Sequence, residues 1–215
     1  MSRCVIITAY QSAELSESFR FNPEDFILCA DGGYRHTLLA GIRPHLLIGD
    51  FDSLDEGALE LHEDFEGSGG KIVRLPAEKD DTDTLYCLKY GIKLGYEEFY
   101  VLGGLGGRLD HTLANLQSMS YAVDLEKQIW FLDGKNKTTL RNPGETTIPR
   151  EDGFKLSLFS FGDFCEGVSI EGVKYPLSEC RLSNSFPLGV SNEFVEDFAV
   201  ISHTSGKLLI VLSKD

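Results

Sequence analysis

The 215-residue sequence predicts an α/β protein in two parts: an N-terminal, mainly parallel sheet with flanking helices, then a C-terminal all-β sandwich domain. Three observations predict it. Short apolar runs alternate with helical stretches over the first half, the pattern of strands joined by helical crossovers. Beyond about Asp133 the helical period gives way to an alternation of period two. Charge divides at the same place. Residues 1–133 hold 11 basic and 23 acidic residues, a net −12, whereas residues 134–215 hold 9 and 11, a net −2. Domains are therefore expected over 1–133 and 134–215, with Gly134 to Asn142 as the join.

The elements follow in order. Cys4 to Ala9 and Phe26 to Ala30 read as strands covered on both faces, because they are unbroken apolar runs. Asp31-Gly32-Gly33 is a turn into a helix from Tyr34 to about Ala40, stopped before Pro44. Leu46 to Ile48 is a strand, Asp55 to Phe65 a helix, and Lys71 to Leu75 a strand. Thr82 to Leu94 is a helix with Leu85, Leu88 and Ile92 on its apolar face, ended by Gly95. Phe99 to Leu102, Leu109 to about Tyr121 and Gln128 to Leu132 complete a Rossmann-like first half as strand, helix and strand. In the second half Phe154 to Phe159 and Val168 to Ile170 alternate with period two. Phe198 to Ser202 and Leu208 to Leu212 read as strands joined by a hairpin turn at Thr204-Ser205-Gly206.

Composition excludes several classes of function. The net charge of −14 opposes a nucleic-acid backbone or an anionic membrane as partner, since both need clustered Lys and Arg. It permits a polyanion bridged by a divalent cation. Five cysteines, odd in number and without a C-x-x-C, fit a reducing cytosol and neither a disulfide framework nor a zinc site. The first apolar run is too short for a signal peptide, and no stretch approaches the roughly 18 apolar residues of a membrane span. A cytoplasmic protein is expected.

The acids that call for chemistry sit where strands end, the edge at which open α/β sheets bind ligands. Asp31-Gly32-Gly33, Gly49-Asp50-Phe51-Asp52-Ser53, Lys79-Asp80-Asp81-Thr82-Asp83 and the run Gly103 to His111 each follow a strand. In extended backbone Asp50 and Asp52 point to one side, and such a pair repels unless a cation neutralises it. Magnesium suits it, because that ion takes oxygen ligands and keeps substrate phosphates in its shell. The plain alternative for this motif is a turn. In the next motif one acid is expected as helix N-cap and another lies in the first turn; a mixed role is expected, with one capping acid and one or two of the three serving metal or substrate. Gly103 to Gly107, ahead of a helix N-terminus, offers backbone N–H groups to phosphate, with Arg108 as a positive fork. It matches neither a Walker A loop nor G-x-G-x-x-G, since Leu109 stands at the last glycine position. A surface salt bridge is the plain alternative for Arg108.

Taken together, Asp31-Gly32-Gly33, Pro44 with Ile48 to Ser53, Lys79-Asp80 with Thr82-Asp83, Gly103-Gly104 through Gly107-Arg108 to Asn115, and Gly189-Val190-Ser191-Asn192-Glu193-Phe194 resemble the bacterial thiamine pyrophosphokinase family. The ordered set spans roughly Ala30 to Phe194. The resemblance implies an ATP-binding catalytic domain over 1–133 and a thiamine-binding β-sandwich over 134–215, in a homodimer with each thiamine site at the subunit interface. It implies transfer of the diphosphate of ATP to the thiamine hydroxyl, giving thiamine diphosphate and AMP.

On that resemblance Asp50, Asp52 and Asp80 are expected to hold magnesium and to share the catalytic work with Asp83; Asp83, or one of the metal acids, is the leading candidate to receive the alcohol proton. Asp31, Gly32, Gly33, Lys79, Thr82, Gly104, Arg108, Asp110 and His111 are expected around ATP, and Ser191 and Asn192 against thiamine. The single tryptophan, Trp130, is expected as a core strand residue, which leaves Tyr175, Phe186 and Phe194 as candidates to stack on the thiamine rings. Three other functions compete: a diphosphokinase for another primary alcohol, a thiamine or nucleotide sensor without turnover, and a dinucleotide oxidoreductase. The broken glycine fingerprint counts against the last.

Overall fold

A computed structural model of the chain describes residues 3–52, 56–76, 78 and 80–215. The chain divides into two compact units, Met1–Gly134 and Lys135–Asp215.

The first unit contains β1 (Cys4–Ile7), α1 (Leu15–Ser18), β2 (Phe26–Ala30), α2 (Tyr34–Leu39), β3 (Leu46–Gly49), α3 (Glu56–Gly67), β4 (Lys71–Arg74), α4 (Asp83–Lys93), β5 (Glu98–Leu102), α5 (Leu109–Asp124) and β6 (Gln128–Asp133). Its strands run in the order β4-β3-β2-β1-β5-β6, and every pairing is parallel. All four residues of β1 and of β3 are buried, because helices cover both faces of a parallel sheet. In α4 the buried residues Thr84, Cys87, Leu88 and Gly91 recur at three and four positions, and in α5 Asn115, Ser118, Met119, Ala122 and Val123 do the same. Trp130 packs from β6 against the buried cluster that includes Val5, Leu47 and Leu102.

The second unit contains β7 (Asn136–Arg141), β8 (Gly144–Pro149), β9 (Lys155–Ser160), β10 (Phe164–Glu171), β11 (Leu177–Ser183), β12 (Phe198–His203) and β13 (Leu208–Ser213). It is sandwich-like: antiparallel strands form the orders β7-β13-β9 and β11-β10-β12-β8.

The division between the units falls at Gly134, and Asn136–Arg141 just beyond it is a strand paired along its whole length with β13. One expectation is corrected here. Thr204-Ser205-Gly206 is not a hairpin turn, because β12 and β13 lie in different sheets and the chain crosses between them at this point. No helix among the described residues is long and apolar enough to cross a membrane. All five cysteines are free thiols, and burial pushes those of Cys4, Cys29 and Cys87 well up from their ordinary values.

Candidate active site

From β1 the sheet grows outward through β2, β3 and β4 on one side and through β5 and β6 on the other. The carboxyl ends of β1 and β5 therefore flank the reversal of strand order, where an open α/β sheet parts to admit a ligand. A cavity of about 580 Å³ lies there, within the size range of small-molecule sites. Thr8 to Tyr10 line it beyond β1, and Ala30 and Asp31 beyond β2. Asp81 to Thr84 line it at the head of α4; Gly104, Gly106, Gly107, Arg108, His111 and Asn115 do so at the head of α5. Two helix N-termini thus face one cavity, and each carries a partial positive charge suited to phosphate.

Local chemistry explains the placement. Thr82, not an acid, is the N-cap of α4: its hydroxyl accepts from the Leu85 amide at 3.2 Å. The expectation of a carboxylate cap is corrected, and both neighbouring acids are released for other work. Asp83 sits in the first turn, where the helix dipole favours a negative charge. Asp81 accepts from the Lys89 ammonium of α4, 2.6 Å away. Removing the cap by Thr82→Ala is expected to cost about 1 kcal/mol, read as a lower urea midpoint, with Thr82→Ser recovering most of it. Equal midpoints would refute the cap.

The glycine loop is held from below. Asn115 donates from its side-chain amide to the Gly104 carbonyl at 2.9 Å, and Thr8 donates its hydroxyl to the carbonyls of Tyr10 (3.0 Å) and Leu102 (3.1 Å). Asp133, at the end of β6, accepts from the Ser12 amide and hydroxyl. Arg108 forks onto Asp110, with Nη2 2.6 Å from Oδ2 and Nε 3.2 Å from Oδ1. That pair holds the Asp110 carboxyl below its ordinary value. Both groups are exposed, so the pair contributes little and the fork can be exchanged for a phosphate at small cost.

The predicted residues divide between those the cavity gathers and those it leaves outside. Asp31, Thr82, Asp83, Gly104, Arg108 and His111 line it. Asp50, Asp52, Asp80, Gly32, Gly33 and Asp110 do not. Gly33 has a packing reason instead: a Cβ there would stand 2.2 Å from the Ile7 carbonyl oxygen. Asp50 and Asp52 are not on extended backbone, because Phe51 between them is left-handed at φ 58° and the motif is a turn. Asp50 is half-buried, whereas Asp52 and Asp80 are exposed. Lys79 and Ser53 lie outside the described residues. Thr8, Tyr10 and Asp81 are cavity residues that the sequence reading passed over; Asp81 alone carried a signal, as a member of the four-residue acidic run.

Magnesium was tested against the donor set. The carboxylates at this rim are hard oxygen donors of the right kind. Among the described residues no group of three or more His, Cys, Asp or Glu is gathered to hold an ion. Asp50, Asp52 and Asp80, the three expected ligands, are therefore not gathered into one group.

The second unit has its own cleft, about 270 Å³ and mostly apolar, with Tyr175, Phe186 and Leu188 exposed on its walls. Asn192 lines it but is buried and engaged. Its side-chain oxygen accepts from the amides of Tyr175 and Glu193, each at 3.0 Å, and its nitrogen donates to the Tyr175 carbonyl at 2.7 Å. Ser191 is exposed and left-handed at φ 58°, with its amide donating to the Ser157 hydroxyl at 3.0 Å. Phe194 does not line the cleft.

Comparison with known proteins agrees along the whole chain. Residues 20–131 match the family described as Thiamin pyrophosphokinase, catalytic domain, and residues 145–208 match Thiamin pyrophosphokinase, vitamin B1 binding domain. The Thiamine pyrophosphokinase of Bacillus subtilis (strain 168) is 30% identical over 186 residues, covering 86% of each chain. The crystal structure of the Bacillus subtilis enzyme superposes with a TM-score of 0.91 at 25% identity over 100% of both chains. That of Geobacillus thermodenitrificans superposes with 0.87 at 28%, over 99% of this chain and 98% of the other. Cavity, fold and similarity converge, and the chain belongs to the thiamine pyrophosphokinase family.

Proposed function

We propose that this protein transfers the diphosphate of ATP to the hydroxyl of thiamine, releasing AMP and thiamine diphosphate. One observation carries the reading: in a chain of this family, the cavity at the strand-order reversal brings two helix N-termini, a glycine loop and the carboxylates of Asp31, Asp81 and Asp83 around one volume.

In the reaction the thiamine hydroxyl oxygen bonds to the β-phosphorus. The bond from that phosphorus to the α,β-bridging oxygen breaks, and AMP leaves with the oxygen. Asp83 receives the hydroxyl proton. Gly106 and Gly107 present backbone amides to the triphosphate, Gly104, whose own amide donates to the Tyr10 carbonyl at 3.1 Å, borders it, and Arg108 trades Asp110 for phosphate oxygens. Asp31 and His111 border the nucleotide, with Gly32 and Gly33 shaping the Asp31 turn and Asp110 at the rim; Lys79 is assigned to ATP on the family resemblance alone. One or two of Asp50, Asp52 and Asp80 would hold magnesium, which, when bound, offsets the charge of the phosphates. Positioning and fixed charge supply the rate, because phosphoryl transfer asks little covalent chemistry of a protein.

The apolar cleft of the second unit receives thiamine, with Tyr175 as the aromatic wall and Asn192 holding the Tyr175 backbone; Ser191 stands in sequence between the lining residues Val190 and Asn192. Replacing Ser191 and Asn192 together by alanine is expected to raise the thiamine KM at least about tenfold, the loss of one good contact, and the ATP KM much less. Equal rises would refute a thiamine-facing segment. We further propose a cytoplasmic homodimer with thiamine bound where subunits meet. The family resemblance supports the dimer, and five free thiols support a reducing compartment. Sedimentation checks the assembly.

Chromatography of AMP and thiamine diphosphate from purified protein, Mg-ATP and thiamine tests the reaction. AMP and product in equal amounts are expected, and a panel of other primary alcohols should yield none. ATP binding without AMP release would replace the reading with a sensor.

A further inference from the structure

We propose that His62 is a positioning residue of the active site, holding the Asp50–Asp52 turn in place through the ring of Phe51. The inference rests on the reading of Asp50 and Asp52 as phosphate-side carboxylates.

Two bulky or charged residues at neighbouring strand ends adopt the left-handed conformation: Asp31 after β2, at φ 45°, and Phe51 after β3, at φ 58°. Such residues hold that conformation only where their surroundings enforce it. They close on Gly49 from two sides. A Cβ at Gly49 would stand 3.0 Å from Asp31 Cα and 3.2 Å from Phe51 Cε1. The turn is therefore packed against the Asp31 turn with no room between them.

What fixes Phe51 from behind is a row of rings. The Phe51 and His62 centroids are 4.9 Å apart, His62 and Tyr34 5.4 Å, and Tyr34 and Phe65 5.1 Å. Tyr34 and Phe65 belong to the buried core, so the row ties an active-site turn to the rigid centre of the unit. His62 is 7% exposed. Its Nδ1 lies 2.6 Å from the Ala58 carbonyl oxygen, one turn earlier in α3, and its buried Nε2 has no hydrogen-bond partner among the described residues. A buried polar atom left unpaired is costly, and an aliphatic side chain could fill the space without that cost. Filling space therefore does not account for the histidine. A flat ring pinned to its own helix does, because it presents Phe51 with a face that cannot rotate away.

The test compares wild type with His62→Ala, His62→Phe, Phe51→Gly and the double variant His62→Ala/Phe51→Gly. Uptake of Mg-ATP is measured by calorimetry and folding by thermal melting. His62→Ala is expected to weaken Mg-ATP uptake about tenfold, as when the competent turn is populated about one-tenth of the time. His62→Phe should recover most of that loss by restoring a ring. Phe51→Gly relieves the backbone strain yet removes the ring, and should weaken uptake at least as much as His62→Ala. The double variant should be no weaker than Phe51→Gly, since His62 acts only through Phe51. In turnover, the variants should lower kcat or raise the Mg-ATP requirement while the thiamine KM moves less than about twofold, the split expected of a residue remote from thiamine.

Unchanged uptake in folded His62→Ala overturns the proposal, and so does a double variant whose losses multiply. If His62→Ala shows no folded transition, Phe51→Gly against wild type decides. Wild-type protein that takes up Mg-ATP but forms no thiamine diphosphate refutes the assigned reaction, while the same binding comparison still decides the role of His62.

Discussion

Asp52→Asn is expected to lower turnover by about 10²–10³, the usual loss when one charged or hydrogen-bonding group at a transition state is removed. Asparagine keeps the shape and one oxygen of the side chain but not its charge. Asp52 is exposed, on a turn with Asp50, and among the described residues its amide makes a long contact of 3.5 Å to Asp50 Oδ1. Folding therefore gains nothing from the second carboxylate and is opposed by like-charge repulsion. The urea midpoint should hold or rise while AMP release falls. A suitable reference is Asp152→Asn in the second unit, whose side chain is 98% exposed and should leave both measurements unchanged. Asp52→Asn with wild-type turnover would remove the residue from the phosphate-side assignment.

Gly103→Ala is expected to be the most damaging single methyl in the first unit's loops. Gly103 has φ +83°, and a Cβ there would lie 2.0 Å from the Tyr10 carbonyl oxygen and 2.5 Å from Gln11 Nε2. The backbone cannot yield easily, since the Gly103 amide donates to the Leu132 carbonyl at 2.7 Å. Left-handed strain of about 1–2 kcal/mol and overpacking of about 1–3 kcal/mol should add, for a loss near 3 kcal/mol in urea unfolding. Gly41→Ala separates the two causes. Gly41 has φ +67° with nothing within 4 Å of a Cβ, so only the strain, about 1 kcal/mol, should appear. Equal losses at the two positions would show that the Tyr10 contact contributes nothing. Mg-ATP affinity should fall with Gly103→Ala and not with Gly41→Ala, because only the former displaces the glycine loop.

The first unit was largely legible in the sequence, because strands buried on both faces must be apolar throughout. Phe26–Ala30 reads directly, and Lys71–Arg74 and Glu98–Leu102 differ from the reading by one residue at an end. Leu15–Ser18 was not legible, since four residues are too few to show a helical period. Nor were Asn136–Arg141, Gly144–Pro149 and Leu177–Ser183, whose threonines, serines and charges hide the alternation. Strand ends announced where the site would be. They did not announce its internal order. Asp80, Asp81, Thr82 and Asp83 can all cap a helix, and only the structure selects Thr82. Left-handed Phe51 has no sequence signature, so Asp50 and Asp52 were expected on extended backbone.

The placement of β13 has a consequence for how the polypeptide matures as it leaves the ribosome. β13 is the last strand of its unit, yet it lies between β7 and β9 and joins Asn136 to Ser213 and Lys155 to the same residue. Until residues 208–213 emerge, both neighbours present an unzipped border that invites association with other chains. The nucleotide-side half can be complete while its companion still waits, and chaperone demand should concentrate in that interval.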